Sequence, residues 1–148
     1  MPIRRDLKPL YGPDWPEISR RIRFERARGR CEACDRPHGI DVRVLPDGRW
    51  FDVDRGFWRS GRGERVAWPS DAELLVFRYT LVILTCGHRD HDPANNADDN
   101  LACWCSRCHL LHDMEHHRIQ RRITWRGRQA VGDLFDGEHG VAGYPRNS

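Results

Sequence analysis

The chain has 148 residues, a formal net charge of +3, 39% hydrophobic residues and 32% charged residues. This length suits one modest core, and a second full domain is not expected. No apolar run approaches the roughly 20 residues of a membrane span, and the opening MPIRRDLKPL lacks the apolar stretch of a signal peptide. We therefore expect a cytoplasmic protein with no membrane partner.

The first predicted elements are an irregular N-terminal arm, residues 1–13, and a helix from Pro16 to about Arg28. Proline suits the first helical position, and Gly29 can end the helix. The helix leads directly to the first pair of cysteines.

A β-hairpin is predicted next. Residues 40–44 and 49–53 alternate in polarity on either side of the turn sequence PDG. Residues 54–71 are rich in glycine and arginine and predict a long loop. The β-branched and aromatic run LLVFRYTLVILT, residues 74–85, predicts a half-buried strand, or a strand with a bend.

The last elements give the order strand, loop, strand, helix. The apolar piece LACW after Asn100 is expected to pair with the preceding strand. A helix is predicted from Cys108 to about Trp125, because apolar residues recur there at roughly helical spacing. Residues 127–148 are glycine-rich and predict a loosely held C-terminal tail.

Four of the six cysteines form two Cys-x-x-Cys pairs, which are Cys31, Cys34, Cys105 and Cys108. Such pairs are typical of a tetrahedral zinc site. In a reducing compartment, cysteines are better interpreted as metal ligands than as disulfides. We therefore predict one structural Zn²⁺. Cys86 and Cys103 match no ligand position and are predicted to be small buried apolar residues.

The basic residues are nearly all arginine, and Lys8 is the single lysine. Arginine suits bidentate contacts to phosphate, and two local basic surfaces on a nearly neutral protein favour a polyanionic partner. A GC-rich genome, or two solvated helix faces, would explain the same composition. The residues predicted to contact this partner, which the resemblance given below implies to be DNA, are Arg20, Arg21, Arg23, Arg26, Arg118, Arg121 and Arg122.

The segment HRDHDPANNADDNLACWCSRCHLLHD contains an ordered set of residue types, namely Asp90, His91, Pro93, Asn100, Cys105, Cys108, His109 and Asp113. This order resembles the HNH endonucleases with their ββα-metal motif, in particular phage and bacterial stand-alone members. The resemblance extends from roughly Trp15 to Leu134. It implies an α+β fold with a ββα-metal core at about residues 74–126 of a domain spanning 14–126. The zinc site, the N-terminal helix and the inserted hairpin complete that domain.

The chemistry of such a site needs an activated water and stabilisation of charge on the phosphorus centre. Histidine, with an unperturbed pKa near ~6.5, can take a proton at neutral pH, so His91 is the predicted general base. Asp90 is predicted to bind a catalytic divalent ion, Mg²⁺, Mn²⁺ or Ni²⁺, with His109 and Asp113, which lie four apart on one helical face. The resemblance implies that Asn100 orients the loop without touching the metal.

The spacing of Pro93 leaves the general base open between two histidines. In many HNH proteins the proline follows the base histidine by three positions, whereas Pro93 follows His91 by two. His88 stands three residues before His91 and could be a ligand or the base, with Asp90 and His91 both in the metal shell. His112, His116 and His117 could be extra ligands, but a basic helix face explains them without any metal.

Two functions from different classes fit this sequence. The first is a divalent-metal-dependent HNH endonuclease that hydrolyses DNA phosphodiester bonds. The alternative is a zinc-stabilised nucleic-acid-binding module without catalysis, because a fold does not by itself fix a function. The complete set of candidate catalytic residues favours the enzyme.

Overall fold

A computed structural model describes the backbone of residues 10–135 and the side chains of residues 10–127. The chain divides into two compact units, Met1–His112 and Asp113–Ser148. Parts of the predicted N-terminal arm and C-terminal tail lie outside the described residues. No helix within the described part of the chain has both the length and the hydropathy to cross a membrane.

The N-terminal helix has two parts. Helix α1 spans Trp15–Arg20, and the chain continues as a π-helical turn over Arg21–Arg26. The Ala27 amide donates to the carbonyl of Ile22, five residues back, and this bonding makes the second part wider than an α-helix. The predicted helix is confirmed, but the pattern of residues did not reveal the π-helical turn. Its Ile22 side chain is fully buried in the core.

A four-stranded antiparallel sheet has the order β3-β2-β1-β4. Its strands are β1 (Asp41–Val44), β2 (Trp50–Asp52), β3 (Phe57–Arg59) and β4 (Arg78–Leu81). The predicted hairpin is confirmed as β1 and β2. Gly48 in the turn has a φ of 90°, a backbone conformation that favours glycine.

The prediction of one long loop over residues 54–71 was wrong in part, because β3 lies within it. Trp58 is almost fully buried and pairs with Phe51 of β2. The sequence pattern missed this strand because it has only three residues, and its stability comes from packing against β2.

The predicted strand over residues 74–85 is divided. A short helix α2 (Asp71–Leu74) begins at a capping box formed by Ser70 and Glu73. Strand β4 then pairs with β1, and the chain leaves this sheet before β5 (Leu84–His88). At the change of sheet, the Leu84 amide donates to Nδ1 of His38, a residue 46 positions earlier in the chain.

The last strands form a separate antiparallel hairpin, in which β5 pairs with β6 (Leu101–Cys105). This confirms the predicted pairing of LACW. Helix α3 (Ser106–Phe135) follows β6 directly and is longer than predicted at both ends. Gly127 does not end the helix, since one glycine in a helix interior costs only about 1 kcal/mol.

A buried ion network joins the four-stranded sheet to the segment before Cys31. The carboxylate of Asp52 is fully buried and accepts from Arg59 Nε at 2.8 Å and from Arg30 Nη1 at 3.2 Å. Burial opposes ionisation, but the hydrogen bonds from the two arginines outweigh it and hold the pKa of Asp52 below its usual value. Asp52 is therefore ionised inside the protein.

We predict that Asp52→Asn lowers the free energy of unfolding by on the order of 3 kcal/mol, because it leaves buried guanidinium groups less well paired. The folded-state pKa of Asp52 is depressed, so its contribution is present above the unfolded pKa of about 3.9 and is lost as pH falls through the folded pKa. Urea unfolding should thus give a constant difference from wild type between about pH 7 and 5.5. Asp54→Asn, which removes a half-exposed partner of Arg30, is the control and should cost less than about 1 kcal/mol.

Candidate functional site

Four buried thiols from two distant segments meet in the first unit, those of Cys31, Cys34, Cys105 and Cys108. Their sulfur atoms all lie within 4.8 Å of one another, and the sulfurs of Cys34 and Cys105 are 3.6 Å apart. A tetrahedral site with Zn–S bonds of about 2.3 Å requires sulfur separations of ~3.8 Å. The cluster therefore fits a structural metal such as zinc, and the predicted convergence of these cysteines is confirmed.

The first cysteine pair lies in a tight turn. The Asp35 amide donates to the Cys31 carbonyl at 2.8 Å, and the Cys31 amide donates to the carbonyl of Arg36 at 3.0 Å. Asp35 itself has a φ of 63°. Glu32 holds this turn against the outer edge of β6, because its amide donates to the Cys103 carbonyl and its carboxylate accepts from the Cys103 amide.

The second cysteine pair joins β6 to α3. Cys105 ends the strand, Cys108 lies in the first turn of the helix, and the Cys105 amide donates to the sulfur of Cys31 at 3.3 Å. Hydrogen bonding from the Cys108 thiol lowers the pKa of Cys105 and favours the thiolate there. A metal in this cluster would hold the beginning of α3, and so His109, in a fixed position.

The two remaining cysteines are direct partners across the β5–β6 hairpin. Burial raises the pKa of Cys86 to about 11 and that of Cys103 to about 12, so both stay protonated at neutral pH. Neither belongs to the four-thiol cluster. Cys103 is fully buried and Cys86 is half-buried, in keeping with a packing role.

The loop that connects β5 to β6 is organised around Asp90. Its carboxylate accepts from the Asp92 amide at 2.9 Å, from Asn100 Nδ2 at 2.9 Å and from Asn95 Nδ2 at 2.8 Å. These bonds lower the pKa of Asp90 to about 2, and the bond from the Asp92 amide makes the largest contribution. Asn100 also accepts from the Asp90 amide through Oδ1. Asp90 and Asn100 thus hold the loop that carries His91.

Arginines of the N-terminal helix bind groups within the protein. Arg21 donates two hydrogen bonds to the carboxylate of Asp98, at 2.6 and 2.7 Å. Arg26 pairs with Glu32 and donates to the Asp98 carbonyl at 2.6 Å. These two arginines, predicted to contact DNA, tie the β5–β6 loop to the helix.

The other predicted DNA-binding arginines differ in their partners. Arg20 forms an exposed ion pair with Glu25, and Arg23 donates to the Ser19 carbonyl. In the second unit, Arg118 pairs with Glu115 within the helix, while Arg121 and Arg122 are exposed.

His109 of α3 faces the hairpin. The Thr85 hydroxyl lies 2.9 Å from Nδ1 of His109 and 3.3 Å from the Trp104 carbonyl oxygen, so it bridges the imidazole and β6. A Cβ atom on Gly87 would stand only 3.1 Å from Nε2 of His109. Glycine at this position therefore lets the imidazole approach the strand closely.

His91 and His112 meet on the same side of the hairpin. Their ring centroids are 4.7 Å apart with nearly parallel planes, and His112 also packs on Trp104 at 4.3 Å. His112 Nε2 donates to the carbonyl of Arg89, so its lone pair lies on Nδ1. His91 adopts a left-handed φ of 63°, a conformation that non-glycine residues seldom take.

The sequence favoured a basic helix face for His112 and left a role as an extra ligand only as an alternative. A signal was present, because His112 follows His109 by three residues and therefore shares a helix face with it. This signal was weak, because α3 contains other histidines, and its apolar residues recur at similar helical spacing.

His88 lies on the opposite face of β5 from Gly87, since side chains alternate along a strand. It is 8% exposed and stacks on Trp15 with ring centroids 4.9 Å apart. Its Nε2 lies 2.9 Å from Oδ1 of Asn96. The Tyr11 ring also contacts it, so the imidazole is enclosed by aromatic side chains.

Asp113, the remaining predicted ligand, follows His112 along α3 and begins the second unit. Its predicted role as a metal ligand stays a prediction. Comparisons with protein-family models, with curated proteins and with solved structures find no match. The resemblance to HNH endonucleases therefore also stays a prediction.

We predict that the purified protein contains about one zinc ion per chain. Zinc-dependent folding of this kind is worth on the order of 10 kcal/mol in small metal domains, so Cys34→Ser or Cys108→Ser should give insoluble or unfolded protein. Elemental analysis of the wild type and of Cys86→Ser, the control outside the cluster, should give the same zinc content. A well-folded wild-type sample without zinc would contradict the assignment.

Proposed function

We propose that this protein is a divalent-metal-dependent endonuclease of the HNH type that hydrolyses DNA phosphodiester bonds in the cytoplasm of a bacterial or phage-infected cell. The observation that carries the proposal is the pairing of His91 with His112 beside the β5–β6 hairpin. His109 contacts the same Trp104 ring as His112, at a centroid distance of 5.6 Å. Three imidazoles thus adjoin one strand–strand–helix element.

His91 is proposed as the general base. It is half-buried, whereas His88 is enclosed by Trp15 and Tyr11, so a water molecule can reach His91 more readily. Its left-handed backbone also supports a functional role, because such conformations cost of order 1–3 kcal/mol and cluster at active sites. The bonds between Asp90 and Asn100 hold the loop and orient this histidine.

The proposed ligands for the catalytic ion come from α3 and from the loop after β5. Nδ1 of His112 has the lone pair that a divalent ion needs, because its Nε2 donates to the Arg89 carbonyl, and His109 is a second proposed imidazole ligand on the same helix. The carboxylate of Asp90 accepts three hydrogen bonds but has about four acceptor positions, so it can still contribute. Asp90 and Asp113 therefore both remain proposed ligands. The bound ion would stabilise charge on a phosphate oxygen and on the leaving 3′ oxygen.

A direct test is incubation of plasmid DNA with the zinc-loaded protein and Mg²⁺, Mn²⁺ or Ni²⁺. We expect cleavage that EDTA abolishes and that excess divalent ion restores. DNA binding without cleavage under every metal would contradict the proposal and support the alternative, a zinc-stabilised binding module.

We predict that His91→Ala lowers the cleavage rate by about 10² or more, the usual contribution of a positioned general base. Its zinc content and DNA affinity should remain near those of wild type. Wild-type cleavage should also fall at acid pH, because a protonated imidazole cannot accept a proton from water.

The matched variant is His88→Ala, measured across the same Mg²⁺ or Mn²⁺ titration. If His88 were the base, this variant would be inactive, and His91→Ala would instead weaken the apparent affinity for the catalytic metal. Full activity in both variants would contradict the site.

We predict that DNA binding weakens steeply with salt, by roughly 0.9 log units per log unit of salt for each phosphate contact. Replacing Arg121 and Arg122 by glutamine should reduce this slope by about the amount that two phosphate contacts contribute. Arg49→Gln is the control, because Arg49 pairs with Asp47 and Glu73 and is not a predicted DNA contact. An unchanged slope in the double variant would assign Arg121 and Arg122 to a solvated helix face.

A further inference from the structure

Arg36 is a buried cation whose partners are unusual. Its side chain is 4% exposed, Nη1 donates to the sulfur of Cys34 at 3.3 Å, and Nη2 donates to the Gly48 carbonyl at 3.0 Å. Its guanidinium also lies over the Trp50 ring, 5.4 Å from the centroid. Among the described residues it forms no ion pair with a carboxylate. A buried charge is costly unless another charge compensates it.

The four-thiol cluster has the complementary charge. A zinc ion bound by four thiolates has a formal charge of roughly −2, and this cluster lies among buried apolar residues. Within the described part of the chain, the amides of Cys105 and Cys108 and the guanidinium of Arg36 donate to its sulfurs. Of these, only Arg36 brings a positive charge.

A cavity gives this part of the cluster a path to solvent. The cavity has a volume of about 340 Å³, and its lining includes Arg36, Cys105 and Arg107. Arg36 therefore both lines this cavity and contacts the sulfur of Cys34. Arg107 lines the same cavity but donates to the carbonyl of Gly61 at 3.0 Å.

We propose that Arg36 is the charge partner of the four-thiolate metal site. It stabilises the Cys34 thiolate and slows release of the metal. It is a positioning residue that acts through the sulfur, and its role does not depend on whether the protein cleaves DNA.

The test uses the full-length, zinc-loaded chain and measures the rate of zinc transfer to a colorimetric chelator. Removing a group that hydrogen-bonds a metal ligand typically weakens metal binding by 10–100-fold, so Arg36→Met should release zinc about tenfold faster or more. Arg36→Lys keeps the charge and should give an intermediate rate. Arg107→Gln should behave as wild type. Equal rates for Arg36→Met and wild type, or equal acceleration in Arg107→Gln, would overturn the proposal.

A spectroscopic measurement separates this role from simple packing. With Co²⁺ in place of zinc, the sulfur-to-metal charge-transfer band reports how strongly the thiolates are stabilised. Loss of the Arg36 hydrogen bond should move this band to lower energy, and Arg107→Gln should leave it unchanged. If Arg36→Met does not fold, Arg36→Gln, which removes the charge but keeps a polar side chain, is compared with wild type, and an unshifted band would overturn the proposal.

Discussion

The arrangement of the first unit depends on the convergence of four cysteines from segments about 70 residues apart. Cys34 and Cys105 are separated by 71 positions, yet their sulfurs are 3.6 Å apart. This contact joins the tight turn after the N-terminal helix, the end of β6 and the first turn of α3. A chain of this length has a small core, and a metal held at such a junction can supply stability that apolar burial alone does not.

The β5–β6 hairpin then separates two sets of side chains. Alternation along β5 directs Thr85 and Gly87 toward His109, and His88 toward Trp15. His91, which has a left-handed φ, contacts His112 on the helix side. The proposed chemistry uses this side, and the enclosed side contributes to packing.

The many arginines of this chain have a structural role that their number alone does not reveal. Arg21 holds the loop after β5 through Asp98, Arg59 holds the buried Asp52, and Arg36 contacts a cysteine sulfur. These guanidinium groups bind partners within the protein, and two of them do so beside the apolar core. An arginine-rich composition is therefore weaker evidence for nucleic-acid binding than it first suggests, and the exposed Arg121 and Arg122 are the better candidates.

The sequence alone determined the features that depend on short spacings. The two Cys-x-x-Cys pairs, the PDG hairpin and the pairing of LACW with the strand before it could all be predicted, because turn residues and metal ligands follow local rules. Only the tertiary structure decided which histidines meet, which acids the arginines bind, and where the run of residues 74–85 changes sheets. Contacts such as His91 with His112 or Arg21 with Asp98 join residues far apart in the chain, and no local periodicity encodes them.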